Sequence, residues 1–245
     1  MTKENNQRKI VIPGEVVAKG DDFLPGEGTE KNKGEIVSLR YGLAEEQNKL
    51  VRVIPLSGTY HPRRGNVVIG EVENITFNGW VINIGTAENA FLSLMEVPRY
   101  VDKNALEEVM EINDMVVAKI WSINKRGIDL SIKGRGYGKV DDGIIIKINP
   151  NKVPRVIGKE GSMINLIKEN TGCNITVGQN GSVLIKGDKI ENELLAKKAI
   201  LFVTEKSFIH GLTEEVEKFF KGENKKWYQK NLKELTEEKL MKWDQ

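Results

Sequence analysis

Val153-Pro154-Arg155-Val156-Ile157-Gly158-Lys159-Glu160-Gly161-Ser162-Met163-Ile164-Asn165-Leu166-Ile167 decides how this chain folds. Val153, Val156 and Ile157 fit one short helical face, and Ile164, Leu166 and Ile167 fit another. Neither flank alternates at period two, so the glycines join two helices and not two strands. Glycine at both corners allows a tight turn and leaves no Cβ to hold a ligand away. The second helix offers its first amides at that turn, which favours an anion such as a phosphate. On the glycines alone, an ordinary helix corner fits as well.

The flanks decide between these readings. A strand at Gly143–Ile148 and a turn at Asn149–Lys152 come before. After the second helix come Asn174–Val177, a Gly178-Gln179-Asn180-Gly181 turn, Ser182–Gly187 and a helix from Glu191 to about Lys206. Asn-Gly between alternating runs is a strong hairpin signal. The order strand, helix, G-x-x-G, helix, strand, strand, helix resembles the type I K-homology (KH) fold, whose loop clamps about four nucleotides of backbone. The KH unit is placed at 140–208. By this resemblance Gly158, Lys159 and Gly161, with Lys152, Arg155 and Lys168, hold sugar-phosphate. Glu160 adds a negative charge to the loop, so the contact is expected to be modest. Residues 209–245 read as an amphipathic helical extension packed on the KH unit, with Leu212, Val216, Phe219 and Phe220 at helical spacing. Trp227 and Tyr228, beside Lys225 and Lys226, are a minor alternative for stacking a base.

Residues 65–137 form a second unit. Strands are expected at Asn66–Val72, Trp80–Gly85, Ala90–Leu94, Met115–Ile123 and Gly127–Ile132. A partly helical excursion lies between the third and fourth, with Ala105, Leu106, Val109 and Met110 at helical spacing. Five short strands with that insert fit an OB barrel. Gly70-Glu71-Val72, Phe77-Asn78-Gly79-Trp80-Val81 and Ile128–Lys133 resemble the S1-type RNA-binding barrel. That family places aromatic and basic residues on its RNA face, which here implies Phe77 and Trp80, helped by Lys125 and Arg126 on a hairpin tip. The chain departs from the family pattern at Asn78 and at Leu92, where many members carry histidine. Trp80 fits either a stacking surface or the barrel core; Phe77, at a turn, fits stacking better. Gly134-Arg135-Gly136-Tyr137-Gly138-Lys139 reads as a flexible basic linker, with Arg135 near phosphates or simply at a domain joint.

Residues 1–62 read as a small β domain. Glu35–Leu43 and Lys49–Leu56 pair as a hairpin through 44–48, and a Pro-Gly turn and a loop rich in glycine and acid come before. Such a domain buries little core and leans on a neighbour or a partner.

Composition sets limits. The 245 residues carry 37 Lys+Arg against 35 Asp+Glu, a net charge of +2. Nucleic-acid affinity must therefore come from local patches. One cysteine, Cys173, allows no internal disulfide and fits a reducing, cytoplasmic setting. No signal peptide and no membrane span is expected. There is no Walker A sequence, no H-E-x-x-H and no paired C-x-x-C, and His61 and His210 lack ligand spacing. No catalytic residue, metal or cofactor is expected. The acidic pairs Asp21-Asp22 and Asp141-Asp142 read as solvated loop charge.

The expected fold class is therefore multidomain α+β: a small N-terminal β domain, a five-stranded S1-type OB barrel and a type I KH domain with C-terminal helices. This order resembles the RNA-binding cap subunits of the archaeal RNA-degrading exosome. The resemblance implies a non-catalytic protein that captures single-stranded RNA, A-rich tails in particular. Three copies would sit on a hexameric ring of phosphorolytic subunits of two types, docked through the N-terminal domain, as a trimer of one subunit or mixed with another cap subunit. A free-standing RNA-binding regulator and, less favoured, a metal-dependent nuclease remain the alternatives.

Overall fold

The structure, a computed structural model, describes residues 9–99, 101–102, 105–125, 127–206 and 211–222. The chain divides into two compact units. One comprises residues 1–141 with 147–153 and 177–183; the other comprises 142–146, 154–176 and 184–245.

The first unit begins with seven short strands: β1 (Lys9–Val11), β2 (Val16–Lys19), β3 (Leu24–Pro25), β4 (Thr29–Asn32), β5 (Glu35–Ser38), β6 (Gly42–Gln47) and β7 (Leu50–Pro55). They form two sheets, β1-β6-β7-β3 and β2-β5-β4. Alternation turns Val11, Ala44 and Val53 inward with Val17. The hairpin differs from its expected form. Residues 44–47 continue β6, and Asn48-Lys49 alone makes the turn, both with positive φ (53° and 65°). A two-residue turn of this hand matches the strand twist, but without a glycine it carries a weak sequence signal. The outer face of the first sheet carries one apolar row beside the Glu45–Arg52 pair: Ile10, Leu43 and Ile54 stand in cross-strand register, and Ile10 and Ile54 are exposed.

The barrel consists of β8 (Val67–Thr76), β9 (Gly79–Asn83), β10 (Ala90–Ser93), β11 (Met115–Asn124) and β12 (Gly127–Ser131), with β13 (Gly138–Lys139) added at an edge. The order is β12-β10-β9-β8-β11-β13, and pairing of β12 with β11 closes the barrel. Trp80, Ile82, Leu92, Ile120 and Leu130 fill it, and Leu106 and Met110 from the excursion cover one end. Among its described residues, that excursion is a 3-10 turn at Leu94–Glu96 followed by further turns, not an α-helix. The expected flexible linker is also tied down. Tyr137 packs on the barrel core, Val140 N–H donates to the Met115 carbonyl, and Lys139 bridges Asp114 at 2.6 Å. Arg135 stays exposed on the turn closed by Tyr137 N–H to the Gly134 carbonyl.

Val67 and Ile69, near the start of β8, lie beyond the end of its pairing with β9. The Gly178–Gly181 turn completes their hydrogen bonding. Gln179 exchanges bonds with Val67 through its own N–H and its side-chain oxygen. The Asn180 amide accepts from Ile69 N–H and donates to the Ile69 carbonyl (2.8 Å) and the Ile84 carbonyl (3.0 Å). Asn180→Ala therefore strands several partly buried peptide groups, at about 1–3 kcal/mol each before relaxation. We expect a total loss of about 2–4 kcal/mol, read as a lower urea midpoint at unchanged slope.

In the second unit, β14 (Ile144–Lys147), β15 (Asn174–Val177) and β16 (Ser182–Lys186) form a sheet in the order β14-β16-β15. The helices are α1 (Val153–Ile157), α2 (Ser162–Thr171), α3 (Ile190–Glu205) and α4 (Leu212–Phe220). Val156, Ile167, Ile185, Ala199, Ile200 and Phe202 are fully buried. Leu212, Val216 and Phe219 put a buried stripe on α4, and the Phe219 ring lies 5.1 Å from that of Phe202 on α3. Residues 223–245, with Trp227 and Tyr228 among them, lie outside the described residues.

Candidate nucleic-acid interface

The turn between α1 and α2 has the expected G-x-x-G form, and its two glycines serve different ends. Gly158 has φ 76° and ψ 175°; a Cβ there would lie 2.6 Å from Met163 N. It is a packing glycine. Gly161 has φ 82° and caps α2, and a Cβ there would meet nothing closer than Asn165 Nδ2 at 3.6 Å. It keeps the approach to the helix start open. Between them Glu160 also adopts a left-handed conformation, φ 54°.

Among the described residues, Arg155, Lys159 and Lys168 have no carboxylate within ion-pair distance, and Arg155 and Lys159 are exposed. The N-terminal strands differ: Lys19 pairs with Glu35, Lys31 with Asp21, Lys49 with Asp22 and Arg52 with Glu45. Cations free to meet phosphate are thus present at the loop. Arg155, Gly158 and Lys159 line one cleft of about 510 Å³. Lys152 ends a 3-10 turn outside that cleft, and Lys168 lies in the last turn of α2, away from the helix start at Ser162.

The barrel corrects the S1 expectation at two points. Trp80 is fully buried, and its indole N–H donates to the Met110 carbonyl at 3.1 Å. It shares a face with Ile82 and supports the barrel; it cannot stack a base on the surface. Phe77, by contrast, is 80% exposed on the β8–β9 turn. Leu92 is buried as well, so the outward positions of β10 are Phe91 and Ser93. Phe91 lies over Gly79, where a Cβ would stand 3.0 Å from its Cζ. Sequence reasoning missed Phe91, although its alternation with Leu92 carried the signal. Met95, 77% exposed, lies beside the Phe77 turn, because Leu94 N–H donates to the Asn78 carbonyl.

The second correction concerns Lys125. β10 and β12 are parallel, with Ala90 opposite Ile128, so the tip bearing Lys125 is level with the start of β10. Phe77 is level with its end. About five residues at ~3.3 Å, roughly 17 Å, separate the two levels. Lys125 and Phe77 are therefore two contacts and not one cluster; Arg126 lies outside the described residues. The cation at the Phe77 end is Lys133, which bridges Glu96 at 3.1 Å. Burial pushes the Glu96 carboxyl up, but hydrogen bonds from Ser131 and Lys133 outweigh it and hold the pKa below the usual value. The Glu96 carboxylate therefore stays charged at neutral pH.

Phe77→Ala removes a π face without touching the core. We expect single-stranded RNA to bind about 5–150-fold more weakly, the scale of one missing stack. The unfolding free energy should stay within about 0.5 kcal/mol. Fluorescence anisotropy and a melt check both.

Among the described residues, no group of three His, Cys, Asp or Glu side chains is placed to hold a metal ion. Asp21, Asp22 and Asp142 are each engaged by a lysine. Cys173 is buried, and desolvation raises its pKa, which disfavours a thiolate.

The chain is similar to known proteins over most of its length. The KH domain family matches residues 143–202, and the family described as Exosome complex exonuclease RRP4 N-terminal region matches residues 10–45. The chain is 42% identical to the exosome complex component Rrp4 of Methanothermobacter thermautotrophicus, over 86% of this chain and 67% of that one. It is 40% identical to the Rrp4 of Thermococcus kodakarensis, over 86% and 84%. It is 38% identical to that of Nitrosopumilus maritimus, over 89% and 99%. A crystal structure assigned to an exosome complex RNA-binding protein superposes with a TM-score of 0.62 at 31% identity, covering 69% of this chain and 98% of that one.

Proposed function

The chain belongs to the family of the exosome complex component Rrp4, and on that premise we propose that it is the non-catalytic RNA-binding cap of an RNA-degrading ring. The observation that carries the reading is the G-x-x-G loop. It opens at Gly161 and stands beside Arg155 and Lys159, which no carboxylate of the described residues neutralises. Such a loop holds sugar-phosphate of a single strand with little demand on sequence. Phe77 on the barrel supplies stacking, which also tolerates any base.

Three copies of the chain cap a hexamer of phosphorolytic subunits of two types, alone or mixed with another cap subunit. They capture RNA, A-rich tails in particular, and pass 3′ ends to the degradation pore. The N-terminal residues, 1–62, dock on the ring. The apolar row of Ile10, Leu43 and Ile54 supports this, since a two-sheet domain this small gains from a partner. The cap acts in the cytoplasm. Among the described residues, no helix is long and apolar enough to cross a membrane.

Size-exclusion chromatography with light scattering tests the assignment. Mixed with the phosphorolytic subunits, the chain should co-elute at three copies per hexamer. Elution as a separate peak that still binds RNA would identify a free-standing RNA-binding protein instead.

A further inference from the structure

α4 stands outside the matched KH domain, which ends at residue 202. Even so, it is firmly placed. Phe219 packs on Phe202, and Lys206 reaches both Glu215, at 3.5 Å, and the Phe202 ring, 4.4 Å from its centroid. Its first residues form the far wall of the cleft at the G-x-x-G loop. We propose that this cleft seats one further ribonucleotide of the bound strand, beyond those the loop clamps. The proposal rests on the RNA-binding reading above and deepens it.

Size and chemistry both point to a nucleotide. The cleft's volume of about 510 Å³ lies within the ~300–1,000 Å³ of small-ligand sites. Its lining has three kinds of group in one place. Arg155 and Lys159 are exposed cations with no ion-pair partner among the described residues, suited to a phosphate. Ser162 and Thr213 bring a hydroxyl from each wall, suited to a ribose. Met163 and Leu212 give a buried apolar floor for the sugar or base edge. One acid stands at the lip: Glu214 Oε2 lies 3.6 Å from where a Cβ on Gly211 would be. Glu160, exposed on the loop, is a second carboxylate close by in sequence. Two cations against two nearby acids make a seat of moderate affinity, filled when the strand is already held at the loop. A seat lined by hydroxyls also favours RNA over DNA, because the 2′-hydroxyl has partners there.

The test uses the full chain at low salt. Affinity is measured for an oligoadenylate of about four nucleotides, the length a KH loop clamps, and for one of about eight. Thr213→Glu places a carboxylate in the wall, and an acid in the first turn of α4 also favours that helix, so the fold is retained. It should weaken the longer RNA about tenfold, the scale of one charge-assisted hydrogen bond, and the shorter, whose phosphate shares Arg155 and Lys159, by a clearly smaller factor. Thr213→Val, which removes the hydroxyl at similar volume, should weaken the longer RNA by a smaller factor. Gly161→Asp should weaken both lengths. If Gly161→Asp weakens both and Thr213→Glu weakens neither, the extra seat is wrong and the loop reading stands. If Gly161→Asp weakens neither, the loop reading fails and the seat with it. Adenosine monophosphate as competitor separates the two sources of the ligand: displacement of the longer RNA by the free nucleotide at low concentration would overturn the assignment to the strand.

Discussion

Trp80→Ala unfolds the barrel well below the temperature at which the parent chain melts, with a loss of about 3–5 kcal/mol. The indole is fully buried in one apolar cluster with Ile82, Leu92 and Leu130. Truncation leaves a cavity that the surrounding strands, tied in a closed barrel, cannot collapse to fill. It also strips the Met110 carbonyl of the indole N–H that it accepts at 3.1 Å. RNA affinity falls in this variant because the scaffold is lost, in proportion to the unfolded fraction. Trp80→Phe keeps most of the apolar volume and loses the hydrogen bond, at about 1–2 kcal/mol, and should bind RNA normally below its melting point. Urea unfolding of the two variants beside the parent, with RNA titrations on the folded forms, checks the account. A Trp80→Ala chain that melts like the parent but no longer binds RNA would place the indole on the RNA path and refute its burial.

Gly161→Asp has the opposite character, a large loss of binding for a small loss of stability. The new side chain enters open space, since only Asn165 Nδ2 comes within 3.6 Å of the Cβ position. Its backbone, at φ 82°, costs about 1–2 kcal/mol for a residue other than glycine. The carboxylate then stands at the start of α2, where a phosphate would bind, and adds to the charge of Glu160. RNA affinity should drop about 10–100-fold at low salt, the scale of removing a charge-assisted hydrogen bond and adding a repulsion. The slope of log affinity against log salt should become shallower by about 0.7 for each phosphate of the single strand that the loop no longer neutralises. Gly158→Ala is the informative contrast. Its Cβ would lie 2.6 Å from Met163 N, so it must shift α2 against α1 and lower stability first.

The loop was the most legible part of the chain. Apolar residues at helical spacing on both sides of Gly158 and Gly161, with strands at either end, left little choice of fold. Barrel strands were legible too, because Val81/Asn83 alternates with Trp80/Ile82. That alternation even held the answer for Trp80: a polar Asn83 marks the wet face, and Trp80 is on the other one. The position of Lys125 was not legible. It depends on the parallel pairing of β10 with β12, two strands joined through the long excursion at 94–114 and the whole of β11, and nothing local encodes that register. The Gly134–Lys139 segment looked free because glycine signals flexibility. Tyr137 packed on the core and the Lys139–Asp114 pair hold it instead. The cleft at α4 was hidden for a similar reason: the helix itself was visible in Leu212, Val216 and Phe219, but not that its first turn would stand opposite Arg155.

The proposed capture of RNA at two places on the cap is tested most directly on the assembled complex. The rate at which the phosphorolytic ring shortens an A-rich RNA is measured at limiting substrate, with the parent chain and with Phe77→Ala/Gly161→Asp. The parent should accelerate turnover of dilute RNA, and the double variant should add almost nothing while co-eluting with the ring, as the parent is expected to. Equal acceleration by both would contradict the account.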